Sequence, residues 1–263
     1  YGQLLFGYSK FSQMILRRLG NKKKIAQEIQ KYFPPHKIYI EPFFGAGGMF
    51  FNKPKAKYNI VNDLDSDVFN LFQVVMNQKD ELEKAFYMMP IHSDLLDYWK
   101  KNEETEPIKK ALRFIFLSNL TYMGKGTTLS LTGYNNSKSI FIENLENTFN
   151  YINNVQFNNT DCIKFLNNIS LDDRGNGGSK EAFIYNDPPY LGTDDNYSNS
   201  FTEQDSEDLF NCLIETKCKF AMSEFDHPFI LEQAKKRGLN VIIIGERQNL
   251  KNRRTEILIT NYE

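Results

Sequence analysis

Lys37-Ile-Tyr-Ile-Glu41, running into Pro42-Phe-Phe-Gly-Ala-Gly-Gly48, decides the fold. β-Branched and aromatic residues lead into a proline, and a glycine-rich turn follows at once. Glycines there let the backbone turn tightly and approach a ligand closely. A second extended run, Tyr58-Asn-Ile-Val-Asn62, ends at Asp63, and a helical pattern over 65–78 comes next. The order is strand, glycine turn, helix, strand, acid, helix, which predicts the opening of a doubly wound α/β sheet.

Upstream, 15–32 reads as one or two amphipathic helices interrupted near Leu19-Gly20-Asn21 and stopped by Pro34-Pro35. Downstream the alternation breaks. Residues 80–151 read as mostly helical, with 107–120 the clearest helix, and the glycine- and threonine-rich stretch 121–134 suits a hairpin or mobile loop. Alternation resumes with a strand at 155–157, a helix over 161–169 and a flexible surface loop at 172–180. A strand at 182–186 then ends in Asp187-Pro-Pro-Tyr190. Helix 203–216, strand 219–223, helix 228–237 and two apolar runs at 241–245 and 256–260 complete the chain. The last two runs, joined by a basic loop, predict an antiparallel hairpin on a parallel sheet. Domain organisation follows: 1–79 with 152–263 as one α/β domain, and 80–151 as an insertion.

The hydrophobic content of 41% is enough for a packed core. Net charge is −1, yet the charges are not evenly spread. Lys10, Arg17, Arg18, Lys22, Lys23, Lys24, Lys31 and Lys37 share the first segment with one acid, Glu28, and Arg247, Lys251, Arg253 and Arg254 form a second basic stretch. A near-neutral total can therefore hide a positive face suited to phosphates. Cys162, Cys212 and Cys218 form no metal-binding pair, and His36, His92 and His227 are scattered, so neither a zinc site nor a complete disulfide framework is expected. No apolar run approaches membrane-spanning length, and a reducing cytoplasm is the expected location. The first residue is Tyr1, which leaves upstream residues, a signal peptide included, an open matter.

Asp187-Pro188-Pro189-Tyr190 carries the chemistry. Ligands of open α/β sheets bind outside the carboxyl ends of strands, where this tetrapeptide lies. The amino group of adenine is a poor nucleophile because its lone pair is delocalised into the ring. A carboxylate such as Asp187 and a carbonyl such as that of Pro188 can accept its hydrogens, drawing the nitrogen toward tetrahedral geometry. The prolines stiffen the turn, and Tyr190 offers a flat face to a base. In the glycine turn, Phe50 stands where a dinucleotide fingerprint needs its third glycine, which disfavours a nicotinamide or flavin enzyme. Asp63 occupies the place where such folds set an acid on ribose hydroxyls.

With those residues in place, the chain resembles the Dam-like, alpha-group DNA adenine methyltransferases. Glu41 to Phe51, Asn62 to Asp67, Asn186 to Tyr190, Asn199 to Phe201 and Asn252 to Tyr262 carry the resemblance in order along nearly the whole chain. The resemblance implies a Rossmann-like S-adenosylmethionine methyltransferase sheet with helices on both faces, a C-terminal antiparallel hairpin, and an inserted target-recognition region at 80–151. It implies S-adenosylmethionine as cofactor, with no metal. Lys22 matches the lysine that meets the methionine carboxylate, with Arg18 standing where relatives often carry an aromatic. Phe43, Phe44, Gly45 and Gly47 would underlie the methionyl portion, and Asp63 would bind ribose. Asp161, with Cys162 beside it, matches the acid near the cofactor's adenine; Asp187 and Tyr190 match the catalytic acid and stacking ring, and Asp187 is also counted among the cofactor-binding residues.

A reacting amine that points into the base stack must be flipped out of the duplex. Asn119, Tyr122, Lys125, Tyr134 and Lys138 are the candidates for DNA contact in the insertion, and Arg253 and Arg254 for phosphate contact. The polar segment 191–201 is expected to order over the flipped base. Double-stranded DNA is the expected partner, with a cognate restriction endonuclease as a second, in a bacterial or phage-infected cell. The methyl group is expected to pass directly to nitrogen without a covalent enzyme intermediate. Two alternatives stay open: methylation of RNA adenine or of cytosine's amino group by the same chemistry, and a catalytically silent DNA-binding component of a restriction system.

Overall fold

A computed structural model describes residues 15–16, 25–130, 134–171, 178–192, 201–248 and 253–263. The described strands form one sheet in the order β3-β2-β1-β4-β5-β7-β6. They comprise β1 (Ile38–Glu41), β2 (Tyr58–Asn62), β3 (Val155–Asn158), β4 (Ala182–Asn186), β5 (Lys219–Phe225), β6 (Asn240–Gln248) and β7 (Arg253–Thr260). Strands β3, β2, β1, β4 and β5 are parallel, while β7 inserts antiparallel between β5 and β6. The expected doubly wound sheet with a terminal antiparallel hairpin is therefore present. Strand order reverses between β1 and β4, so the crevice for a ligand opens at the carboxyl ends of those two strands.

The chain divides into two compact units, one made of 22–45, 53–69 and 154–263, the other of 1–21, 46–52 and 70–153. In the first, alternate residues of the central strands serve opposite faces. Ile38, Ile40, Ile184 and Met222 join Phe165 of α7 (Cys162–Asn167), Leu209 and Leu213 of α8 (Glu203–Glu215) and Ile230 of α9 (Pro228–Lys236) in one apolar core. Tyr39, Phe183 and Tyr185 point the other way. There Phe33, just past the short helix α1 (Ala26–Gln30), lies 4.6 Å from Phe183 and 5.4 Å from Tyr185 between ring centroids. Helix α8 starts with a reciprocal cap, in which Thr202 accepts from the Asp205 amide and Asp205 accepts from the Thr202 amide.

The second unit holds most of α2 (Ser66–Asn77), with α3 (Lys79–Met88), α4 (Ser93–Lys101), α5 (Pro107–Asn119) and α6 (Tyr134–Ile152), so the described residues of 80–151 are mostly helical, as expected. Pro107 sits in the first turn of α5 and Glu106 caps it, accepting from the Ile108 and Lys109 amides. Phe116 is wholly buried and meets Trp99 edge-on at 5.1 Å. Phe116→Ala is expected to destabilise this unit by about 3–5 kcal/mol, because the ring leaves a cavity its neighbours cannot fill. Chemical denaturation followed by Trp99 fluorescence checks this; a loss under about 1 kcal/mol would mean the packing is looser than described.

Three local expectations need correction. The helix expected between the glycine turn and β2 is a single 3-10 turn, Phe50–Asn52, because Pro54 leaves no room for more. Ile15 and Leu16 are buried but non-helical, and the Ile15 carbonyl is taken by the Asn119 side-chain amide at 2.7 Å. The end of the loop expected at 172–180 is a 3-10 turn, Gly178–Glu181, with Gly178 buried. The stretch after α5 is a narrow hairpin: Thr121 bridges Leu129 antiparallel, and the Tyr122 amide donates to the Thr128 carbonyl at 2.7 Å.

Candidate active site

Three loops meet at the carboxyl ends of β1, β2 and β3, and Asn62 ties them together. Its buried side-chain amide donates to the Pro42 and Thr160 carbonyls, both at 3.0 Å, while its oxygen accepts from the Thr160 amide at 3.1 Å. The Phe44 amide donates to the Asn62 carbonyl at 2.9 Å. Every one of these bonds lies in a place where an unpaired group would be costly, so the turn after β1 is held rigidly.

Gly45 and Gly47 adopt φ of +54° and +73°, a region that residues bearing a Cβ seldom enter. The Gly45 amide donates to Asp63 Oδ2 at 2.5 Å, and Asp63 Oδ1 accepts from the Asp65 amide at 2.9 Å. Both carboxylate oxygens are thus oriented by backbone amides of the neighbouring turn. Among the described residues, chain neighbours aside, no atom lies within 4 Å of where a Cβ on Gly45 would stand. Leu64, next in the chain, is 63% exposed, an apolar surface beside a polar one. The Phe44 ring is buried edge-on against Phe157 at 5.2 Å, and Phe43 meets Phe201 edge-on at 6.2 Å.

Asp161 caps α7, its Oδ1 accepting from the Ile163 and Lys164 amides at 2.9 and 3.1 Å. It lies exposed at the loop after β3, while Cys162 beside it is buried. Burial first, and the Asp161 charge second, push the Cys162 thiol up to about 12, so it acts as an uncharged side chain.

Asp187 follows β4 and is half-buried, with Pro188 and Tyr190 buried and Pro189 partly so. Tyr190 donates to Glu256 Oε1 at 2.7 Å and meets the edge of Phe225 at 4.6 Å. The Leu191 amide donates to Glu224 Oε1 at 3.1 Å, and Arg254 donates to the Gly192 carbonyl at 2.7 Å. Asn186 is wholly buried, and neither polar atom of its amide finds a partner among the described residues. Such a group costs about 1–3 kcal/mol and marks a place where a polar ligand would be welcome.

Behind the turn lies a charged group that sequence reasoning missed. Glu41 is buried and accepts from the Tyr39 hydroxyl at 2.8 Å, and the Lys53 ammonium sits 3.9 Å from the centre of the Tyr39 ring. Burial first, then the charges of Asp187 and Asp63, hold the Glu41 carboxyl well above the usual carboxylate range. Burial pushes Lys53 down to about 7. Glu41, Asp63 and Asp187 thus share the ends of β1, β2 and β4, three strands adjacent in the sheet. The sequence showed Glu41 within the strand-ending motif, but only the fold sets it against Lys53.

Of the candidate DNA contacts, Arg254 is the donor to Gly192 described above, and Asn119, Tyr122, Lys125 and Lys138 belong to the other compact unit. Tyr122, Met123 and Lys125 are exposed on the hairpin after α5, with Met123 at φ +53°. Asn119 and Lys138 donate within their own unit, Lys138 to the Tyr87 and Met89 carbonyls at 2.8 and 2.6 Å. Arg18, Lys22, the side chains of Tyr134 and Arg253, and residues 193–200 of the segment expected to order lie outside the described residues. Among the described residues no three His, Cys, Asp or Glu side chains gather as a metal site, and no helix is long and apolar enough to cross a membrane.

Several known proteins are similar to this chain. The type II methyltransferase M1.LlaDCHI of Lactococcus lactis subsp. cremoris is 25% identical over 278 aligned positions, covering 92% of this chain and 93% of that protein. The DNA adenine methylase of Haemophilus influenzae is 28% identical, covering 66% of this chain and 63% of that one. That of Salmonella typhi is 29% identical over 121 residues; the match takes in 44% of this chain and spans 43% of the relative's length. Among solved structures, the rRNA methyltransferase AviRa of Streptomyces viridochromogenes overlays at a TM-score of 0.39 with 10% identity, covering 90% of this chain and 83% of that one. So loose a likeness adds nothing to the sheet order. The family model for D12 class N6 adenine-specific DNA methyltransferases matches residues 19–249, and the chain belongs to that family.

Proposed function

We propose that this protein methylates the exocyclic amino group of a flipped adenine in double-stranded DNA, using S-adenosylmethionine. The single observation that carries the reading is Asp187-Pro188-Pro189-Tyr190 standing at the end of β4, at the point of strand-order reversal, in a chain of this family.

The residues present fit the cofactor. Asp63 offers an oriented carboxylate to ribose hydroxyls, Leu64 an apolar surface to a purine, and Gly45, with no described atom near its Cβ position, room for a methionyl chain that Gly47 would also underlie. Phe43, Phe44, Asp161 and Cys162 line the neighbouring loop ends, and Lys22 and Arg18 complete the proposed set. S-adenosylmethionine, when bound, supplies a methyl group already activated on a positively charged sulfur. The chain supplies everything else. Asp187 Oδ and the Pro188 carbonyl accept the two amino hydrogens and turn the nitrogen lone pair outward. The Tyr190 ring stacks on the base and fixes its plane. Asp187 is half-buried, so its charge is only partly screened by water.

The helical region 80–151 serves as the target-recognition part in this reading. The exposed Tyr122 and Met123 offer a flat and an apolar side chain to the gap left by the extruded base. Lys125 and Arg254 offer charge to phosphates, together with Arg253. Contact through Asn119 or Lys138 would require exchange of the bonds they make in the chain. Tyr122→Ala is expected to weaken binding of target duplex by about 5- to 150-fold, since one lost stacking contact is worth about 1–3 kcal/mol. Fluorescence anisotropy with labelled duplex checks this; unchanged affinity with unchanged turnover would remove Tyr122 from the interface. A restriction endonuclease partner and a cytoplasmic place of action belong to the same proposal, supported by the type II designation of the Lactococcus relative.

The testing experiment follows labelled methyl groups from S-adenosylmethionine into unmethylated bacterial DNA, then digests the product to nucleosides. Label in N6-methyladenine supports the proposal. Label in cytosine, or in RNA alone, would move the activity to a different acceptor, and cofactor binding without transfer would favour a silent DNA-binding role.

A further inference from the structure

Within the α/β unit, the ends of β5 and β7 touch the catalytic turn at three successive residues. Tyr190 gives its hydroxyl hydrogen to Glu256, Leu191 its amide hydrogen to Glu224, and Gly192 receives a hydrogen from Arg254. Glu256 and Phe225 are Cα partners in the β5–β7 ladder, and Arg254 lies over the Phe225 ring at 5.4 Å. Phe225 in turn stands edge-on to Tyr190, with 83° between ring planes. The loop after β4 is thus fastened by a hairpin more than sixty residues further along the chain.

We infer that Glu256 is a positioning residue for methyl transfer: its buried carboxylate holds the Tyr190 hydroxyl and so fixes the direction of the ring on which the target base stacks. The inference rests on the proposed function. A tyrosine hydroxyl lies on the long axis of its ring, so a hydrogen bond there fixes where that axis points. It leaves rotation about the axis free, and the Phe225 edge limits that rotation. Tyr190 as a residue is 9% exposed and Glu256 1% exposed, so water competes little for the bond. Burial first, then the charges of Asp187 and Glu256, push the Tyr190 phenol well above its ordinary range, which keeps it a donor. Glu256 touches neither base nor methyl group in this account; it acts through Tyr190.

The test compares Glu256→Leu, Glu256→Gln, Tyr190→Phe and the double variant Tyr190→Phe with Glu256→Leu. Each is assayed for kcat, for KM toward S-adenosylmethionine and for cofactor affinity by calorimetry, with unmethylated bacterial DNA as substrate. Glu256→Leu and Tyr190→Phe are each expected to lower kcat about 10-fold through a misplaced ring, with cofactor KM and affinity within about 2-fold of wild type. The double variant should be no slower than the worse single one, because both remove the same bond. Glu256→Gln, which keeps an acceptor, should recover kcat to within about 3-fold. Losses that multiply in the double variant, or a kcat unchanged by Tyr190→Phe, would overturn the inference. If Glu256→Leu does not fold, Tyr190→Phe, which keeps the ring and deletes one oxygen, decides alone. Failure of the wild-type protein to methylate any DNA would instead overturn the proposed function, and the inference with it.

Discussion

Asp187→Ala is expected to lower methyl transfer to adenine by about 10²–10³-fold or more, with the fold and cofactor affinity retained. The magnitude follows from removing one preorganised group aimed at the charge that develops as the amine attacks. Asp187 is half-buried at the end of β4 rather than in the core, so its loss leaves no large cavity. Relief of like charge should also ease Glu41, whose carboxyl is held high in part by Asp187. Asp187→Asn keeps one acceptor oxygen and adds a donor of the wrong sense, so it should retain more activity than Asp187→Ala and far less than the native residue. Labelled methyl transfer at saturating cofactor measures kcat directly, and calorimetry with S-adenosylmethionine shows whether binding survives. Activity within about 3-fold of wild type in Asp187→Ala would sink the assignment of Asp187 as the acceptor of the amino hydrogens.

Asp63→Ala is expected to weaken S-adenosylmethionine binding by about 10- to 150-fold, the equivalent of about 1.5–3 kcal/mol for hydrogen bonds to a charged acceptor. The carboxylate is already oriented by the Gly45 and Asp65 amides, so little ordering remains when ribose hydroxyls arrive. Two consequences separate this from general damage. The cofactor's thermal stabilisation of the protein should shrink in step with affinity, while unliganded stability falls by the loss of hydrogen bonds that include those from the Gly45 and Asp65 amides. Turnover at saturating cofactor should stay near wild type, because Asp63 is placed on ribose and away from the reacting methyl group. A raised cofactor KM with an intact kcat is the expected pattern; an unchanged KM would remove Asp63 from the cofactor site.

The α/β architecture was legible because short β-branched and aromatic runs at β1, β2 and β4 each stop at a proline or an acid, residues that disfavour a strand. Pro42, Asp63 and Asp187 mark those stops, and all three lie at the crevice. The glycines were legible for the same local reason: Gly45 and Gly47 need positive φ, and few other residues supply it. Helix α5 was readable from Pro107 and its apolar stripe, and Glu106 adds the cap. Local misreadings came where neighbours in space override propensity. Ile15 gives its carbonyl to Asn119 rather than to a helix, and Pro54 reduces a helix to one 3-10 turn.

The sequence by itself determined the parts whose information is local: strand ends, the tight turn, and the acceptor-rich tetrapeptide with its chemistry. Tertiary structure alone decided which distant groups surround them. Glu256 reads in sequence as one acid in an alternating strand, and Lys53 as one lysine among many. Antiparallel pairing of β7 with β5 brings Glu256 to Tyr190, and burial beside Tyr39 and Glu41 moves Lys53 down to about 7. A side chain's partner and its dielectric surroundings depend on contacts between strands and loops far apart in the chain, and no pattern of neighbours along one strand encodes them.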